Sequence, residues 1–271
     1  MGRKTKENLG MIFRIFIGVL YITPLILSVI YSFHPDENFM KLGTKLFPDN
    51  MTLDNYRYVF KNIPVWTYFK NTFVIVIVSI PLWVLITSFG AYAFSYFNYP
   101  LKKFMYAFLL TAFMIPSEVT FIVNYLTIHR LDLINTYVAL CIPQIASVGA
   151  VIMLRQNMLA VPIGLWEAAR MDGCGKMRYF FYIMLPMCKA LLTANVITHF
   201  IGIYNSYFWP LMVTTRDEWH TIQIGVRHLL LGNGLGVTFA GGTMSVIIPL
   251  ILYLVNQKRI VEGMSAGAVK G

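Results

Sequence analysis

The chain has 271 residues, 57% of them hydrophobic and 13% charged, whereas a soluble domain carries about 25% charged residues. So few charges cannot cover a soluble surface of this size, which makes lipid the solvent for much of the chain. The formal net charge of +10 fits loops that collect Lys and Arg at one membrane face and argues against a nucleic-acid-binding protein.

Arg3, Lys4 and Lys6 precede a first apolar run, 11–33. It is too long for a signal-peptide core and lacks a small-residue cleavage site, so it reads as an uncleaved span with Arg14 snorkelling to the interface. A bilayer core of about 30 Å needs about 20 apolar residues in a helix. Six runs qualify: 11–33, 73–97, 104–128, 137–154, 190–213 and 237–256. The fold class expected is therefore an all-α membrane protein with six transmembrane helices, one domain over 1–271. Pro116 in the third run predicts a kink there. Between the first two runs, the spacing of Leu53, Tyr56 and Val59/Phe60 within Met51–Phe60 predicts a short amphipathic helix along the outer interface.

Charge orients the spans. The N-terminus with Arg14, the turn with Lys102 and Lys103, the stretch 155–189 and the tail from Lys258 hold 14 of the 22 Lys and Arg but 4 of the 12 acids. Basic loops are cytoplasmic, so both termini are expected inside. Cys141, Cys174 and Cys188 have neither a disulfide framework nor a zinc spacing, and neither a metal nor a cofactor is implied.

The stretch 155–189 is longer than two neighbouring spans require. Pro162 predicts a helix start, and Gly173 and Gly175 interrupt that helix. A second turn from Met177 to Tyr182 then leads through Leu185 and Pro186 into the fifth span. Within it, Glu167-Ala168-Ala169, three residues, Gly173, nine residues, Ile183, one residue, then Leu185-Pro186 resembles the "EAA" loop in permease subunits of bacterial ABC importers. Further resemblance lies in Asn55-Tyr56, Asn71-Thr72, Ala91 to Ser95, Ile115-Pro116, Leu133 to Tyr137 and the tail Gly267 to Gly271. These look like the carbohydrate-uptake branch, whose type includes the second maltose permease. The stretches 115–126, Pro143 to Ser147 and Tyr204 to Leu211 look most similar to the second permease of the sn-glycerol-3-phosphate importer. Trp166 departs from that pattern, standing where the family often has an acid, and Tyr204-Asn205 stands where it has Trp-Asn.

The resemblance implies a type I importer permease in the bacterial cytoplasmic membrane. Its partners would be a second, non-identical permease, two ATP-binding subunits and an extracytoplasmic solute-binding protein. Glu167 would be the coupling carboxylate toward an ATP-binding subunit, Ala168 and Ala169 the contact face and Gly173 a hinge, with Ile183, Leu185 and Pro186 leading into the fifth span. The tail Gly267 to Gly271 would reach the ATPase as extended backbone. No GxxxxGK[ST] phosphate loop is present, so hydrolysis is expected in the separate subunits and the chain itself is not an enzyme.

Ionisable and polar groups in spans mark either a pathway or helix–helix contacts. Glu118, the only acid in the apolar runs, fits a pathway role or a bond to a neighbouring helix. In the fifth run Asn195, His199, Asn205 and Tyr207 are polar, and Asn205 lies ten residues from Asn195, about 280° around a helix, so not all of them can face one cavity. Tyr204, Asn205, Tyr207 and Trp209 are candidates for the substrate pathway, since aromatic and amide groups suit hydroxylated ligands. A secondary transporter would carry more intramembrane charge and an internal repeat. An intramembrane enzyme would need a nucleophile–base or metal cluster that the lone His199 does not make.

Overall fold

A computed structural model describes residues 3–35, 46–48, 50–229 and 234–268. Among these every regular element is helical. In chain order they are α1 (Arg3–Tyr31), α2 (Asp54–Asn62), α3 (Val65–Tyr96), α4 (Lys102–Phe113), α5 (Ser117–Arg130) and α6 (Tyr137–Cys141), the last continued by a 3₁₀ turn to Gln144. Then come α7 (Val148–Leu159), α8 (Ile163–Met171), α9 (Lys176–Tyr179), a π-turn (Phe180–Met184), α10 (Leu185–Met187) and α11 (Lys189–Tyr204). The last three are α12 (Phe208–Val213), α13 (Ile222–Leu229) and α14 (Leu235–Ala268).

Local chemistry sets many of these bounds. Thr136 and Ser147 cap α6 and α7, their hydroxyls accepting from the amides of Ala139 and Ala150. Pro116 and Pro162 stand just before α5 and α8 with φ near −59°, where a missing amide hydrogen costs nothing.

Three described helices are long and apolar enough to cross a bilayer unaided: Gly10–Tyr31, Val65–Tyr96 and Leu235–Lys258. None of the most apolar stretch of the first is buried inside the chain, and Phe13 and Phe16 are more than half exposed, which suits a helix facing lipid or another subunit. The other apolar runs are bent pairs. α4 and α5 meet at 98°, α6 and α7 at 41°, and the helical run Lys176–Met187 meets α11 at 76°.

These bounds change several expectations. All of the run 73–97 but Phe97 lies in a helix that begins at Val65, immediately after Pro64, and ends at Tyr96. The kink expected in 104–128 is a right-angled break, because Pro116 is extended with ψ 136° and cannot continue α4. The run 190–213 is not one helix. α11 stops at Tyr204 and α12 restarts at Phe208, so the angular argument from Asn195 to Asn205 holds only as far as that break. The amphipathic helix of 51–60 is found as Asp54–Asn62. α14 runs on to Ala268, so Gly267 is helical rather than extended, and Val269 to Gly271 lie outside the described residues.

Packing divides the chain into two units. In the first, Met1–Trp66 with Ile222–Leu250, α2 is tied to the end of α1. The buried Asn55 amide donates to the carbonyls of Ser32 at 2.8 Å and His34 at 2.7 Å, and the Ser32 and Tyr56 hydroxyls lie 2.7 Å apart. Hydrogen bonds from Thr52 and Arg57 hold the exposed Asp54 carboxyl below the ordinary carboxylate range. Tyr31 packs on Phe239 at 5.4 Å, and a Cβ on Gly241 would run into Leu229.

The second unit comprises Thr67–Thr221 with Ile251–Gly271. Its core cluster joins Ala91 and Tyr92 of α3, Leu154 and Met158 of α7, Ala169 of α8, Tyr179, Phe180, Met184 and Cys188. A Cβ on Gly149 would come within 2.8 Å of the Phe113 ring, so glycine there permits close approach of α4 and α7.

Candidate functional site

The long loop builds a short helix and fixes it in place. α8 ends in a pair of backbone bonds: Gly173 N–H donates to Arg170 O at 3.0 Å and Cys174 N–H to Ala169 O at 2.9 Å. With Gly173 at φ +73°, this is a Schellman cap, which needs a left-handed residue at that position. Gly173 therefore serves as a fixed stop. A side chain there would meet nothing within 4 Å, so backbone conformation alone calls for glycine.

The faces of α8 are now distinguishable. Glu167 and Ala168 are exposed, whereas Ala169 is buried in the chain's own core cluster. Ala169 thus seats the helix, leaving Glu167 and Ala168 outward. Ile183 and Leu185 pack against the same cluster, and Pro186 is exposed.

Aromatic rings hold the base of α8. Trp166 packs edge-on to Tyr96 at 5.3 Å and to Tyr179 at 5.0 Å. Tyr96 lies 5.2 Å from Tyr179 and stacks on Tyr92 at 5.3 Å. The Tyr92 hydroxyl donates to Lys176 O at 2.9 Å. An open cleft lined by Ser95, Tyr96, Asn98, Pro162 and Trp166 flanks this stack.

Two cations cap the nearby end of α3. Arg155 Nε donates to Phe94 O at 3.0 Å while its guanidinium covers the Tyr106 ring at 4.1 Å. Lys102 Nζ donates to Phe97 O at 2.7 Å. Both satisfy carbonyls that a helix end leaves unpaired. Sequence reading counted these two only as loop charges. Their signal was available in the aromatic residues spaced around them, but only the fold shows which carbonyls they reach.

The opposite end of α3 is also tied. The buried Asn71 amide donates to Glu218 O at 2.8 Å and His220 O at 2.9 Å, and its oxygen accepts from Tyr137 OH at 2.7 Å. Midway, Trp83 stacks on His199 at 4.5 Å, and His199 Nε2 lies 2.8 Å from Gln144 O.

The pathway candidates separate. Tyr204 is fully buried and stacks with Phe200 at 5.9 Å. Trp209 is buried, donates from Nε1 to Ala139 O at 3.0 Å and lies 6.2 Å from Phe121. Both build the core. Asn205 is exposed and Tyr207 half-buried, at the break between α11 and α12. Glu118 is exposed in the first turn of α5, its Oε1 3.2 Å from Ser117 Oγ. A carboxylate suits the positive end of a helix, which accounts for its position without a ligand. The three cysteines are free, and the described residues hold no cluster of three His, Cys, Asp or Glu able to bind a metal.

An all-α chain with long apolar helices, broken spans and a short outward helix on a structured loop has the makings of a membrane transport subunit. Comparison with known proteins gives the family. Residues 86–261 match the model of the "Binding-protein-dependent transport system inner membrane component" family. The chain is 34% identical, over 100% of both lengths, to the arabinooligosaccharides transport system permease protein AraQ of Halalkalibacterium halodurans. It is 28% identical to the sn-glycerol-3-phosphate transport system permease protein UgpE of Yersinia pestis, over 92% of this chain and 93% of that one. A chain in the crystal structure of a bacterial ABC transporter involved in import of the acidic polysaccharide alginate superposes with a TM-score of 0.81 at 19% identity, covering 95% of this chain and 98% of that one. The chain belongs to the family of binding-protein-dependent transport system inner membrane components. It is a membrane component rather than an enzyme.

Proposed function

We propose that this chain is a carbohydrate permease of an ATP-driven importer whose outward helix α8 docks on a separate ATP-binding subunit. The observation carrying the docking reading is that α8 holds Glu167 and Ala168 exposed while its Ala169 face, Schellman cap and aromatic base are fixed by the chain's own core. A rigid, partly unpartnered short helix bearing a carboxylate is suited to pairing with a basic group on another protein. In this reading the chain works as one transmembrane domain of six spans, three of them bent. Both termini and the loop 155–189 face the cytoplasm. A second permease pairs with it, two ATP-binding subunits dock beneath, and a solute-binding protein delivers cargo from outside.

The cargo proposed is an uncharged oligosaccharide. The identity to an arabinooligosaccharide permease supports this, as does the lack of Lys or Arg in the apolar runs 73–97, 104–128, 137–154, 190–213 and 237–256. Recognising the phosphate of sn-glycerol-3-phosphate calls for such a cation. Asn205 and Tyr207 are the pathway residues favoured, because the amide and phenol at the break between α11 and α12 remain accessible.

The test is Glu167→Lys in the assembled transporter, measuring co-purification of the ATP-binding subunits and uptake. Both should fall at least about tenfold, since loss of one partner in a docked charge pair costs about 2–5 kcal/mol. Unchanged association and uptake would contradict the reading. For cargo, the solute-binding protein of the same system should bind arabino-oligosaccharides and not sn-glycerol-3-phosphate in calorimetry.

A further inference from the structure

We infer that Trp166 is a positioning residue that passes displacement of α8 to α3, the long second span, rather than along the chain into α11. The inference rests on the docking reading above and adds the route by which motion leaves the docked helix.

Two routes lead away from α8. The covalent one passes the Schellman stop at Gly173, then α9, the π-turn Phe180–Met184 and the 76° bend at Cys188 before reaching α11. The stop, the π-turn and the 76° bend each interrupt or distort the hydrogen-bonded ladder, so an axial push along this route is dissipated in bending. The packed one is short. The Trp166 ring meets Tyr96 and Tyr179 edge-on, and Tyr96 is stacked on Tyr92 one turn back along α3. The hydroxyl of Tyr92 returns to the loop at Lys176 O. Tyr92 and Tyr179 are almost fully buried, and close-packed interiors transmit displacement instead of absorbing it.

α3 is built to carry that displacement. Arg155 and Lys102 tie down the carbonyls at its loop end. From Tyr92 to Asn71 it runs about 32 Å at 1.5 Å per residue, as one continuous helix even though Pro81 within it removes a ladder hydrogen bond. At Asn71 it grips the segment of Glu218 and His220 together with Tyr137 through three hydrogen bonds. One helix thus joins the docked loop to the segment that follows α12. Ala169 seats α8 in the cluster that holds Ala91 and Tyr92, and Trp166 is its aromatic contact with α3, set edge-on against both Tyr96 and Tyr179.

The experiment compares Trp166→Ala and Trp166→Phe in the complete transporter reconstituted with its solute-binding protein, alongside Glu167→Lys. Trp166→Ala is expected to retain its ATP-binding subunits on purification and to lose at least about tenfold in cargo moved per ATP hydrolysed. Trp166→Phe, which keeps a ring in the wedge, should restore at least half of that ratio. A Trp166→Ala ratio within twofold of the parent would overturn the proposal. So would loss of the ATP-binding subunits from that variant, since Trp166 would then merely build the docking surface, or failure of Phe to restore the ratio. Glu167→Lys separates the two readings. If it leaves association intact, docking at α8 is wrong whatever Trp166 does.

Discussion

The loop around α8 and the break around Asn205 use similar residues to opposite ends. At the loop, aromatic side chains Trp166, Tyr96, Tyr179 and Tyr92 turn inward and leave a carboxylate outside on a fixed helix. At the break, Tyr204 and Trp209 turn inward and leave an amide and a phenol accessible where the helix stops. In both, the large rings form the scaffold and the small polar groups are presented. The difference is backbone freedom. α8 is closed by a cap with two hydrogen bonds, whereas between Tyr204 and Phe208 the helix stops and restarts. A surface that must dock in one geometry gains from the first arrangement, and a surface that must admit and release cargo gains from the second.

Four substitutions can break or sharpen that contrast. The largest effect is expected for Trp209→Ala, which removes a buried ring and orphans Ala139 O, at a cost of about 3–5 kcal/mol. The melting temperature of the purified protein should fall sharply, while Trp209→Phe should lose only about 1 kcal/mol for the missing hydrogen bond. If Trp209→Ala instead keeps stability and alters substrate selection, the ring belongs to the pathway after all. Asn71→Ala comes next. It leaves two carbonyls and one hydroxyl without their partner, costing about 2 kcal/mol, and proteolysis of the segment 214–221 should quicken accordingly. Gly173→Ala forces a Cβ onto φ +73° at about 1 kcal/mol. Gly173→Asn should cost less, because asparagine tolerates the left-handed region, and a melt comparing the two variants decides this. The smallest stability effect belongs to Asn205→Ala, within about 0.5 kcal/mol for an exposed site. Its transport KM should nevertheless rise. An unchanged KM would remove Asn205 from the pathway.

The two regions were not equally legible in the sequence. The loop was readable because its signals are local: Pro162 marks a start, Gly173 a stop, and the spacing from Glu167 to Pro186 fits a known pattern. The outward and inward faces of α8 were not readable. Ala168 and Ala169 are chemically alike, and only the position of Tyr179 and Met158 in space buries one and exposes the other. Apolar runs were found by hydropathy, which averages over a whole span and ignores backbone direction. It therefore saw 190–213 as one helix and 104–128 as merely kinked. The polar residue at Asn205 and the proline at Pro116 were visible, but neither tells from sequence alone that a helix stops at Tyr204 or that the break at Pro116 reaches 98°. The π-turn at Phe180–Met184 and helix Ile222–Leu229 left no signal that composition could separate from ordinary apolar sequence. Arg155 and Lys102 were read as topogenic charges, and their service to the carbonyl end of α3 comes from a tertiary approach that charge counting does not address.

The central claim, that the outward face of α8 meets a separate ATP-binding subunit, is most directly tested by cross-linking from adjacent positions. In a chain carrying Cys174→Ser, so that the half-exposed native thiol does not compete, single cysteines are placed as Ala168→Cys and Ala169→Cys. Each membrane preparation is then treated with a short thiol–amine cross-linker. The account predicts a product of permease plus ATP-binding subunit from position 168 and none from the buried position 169. A product from neither position, or from 169 and not 168, would contradict it.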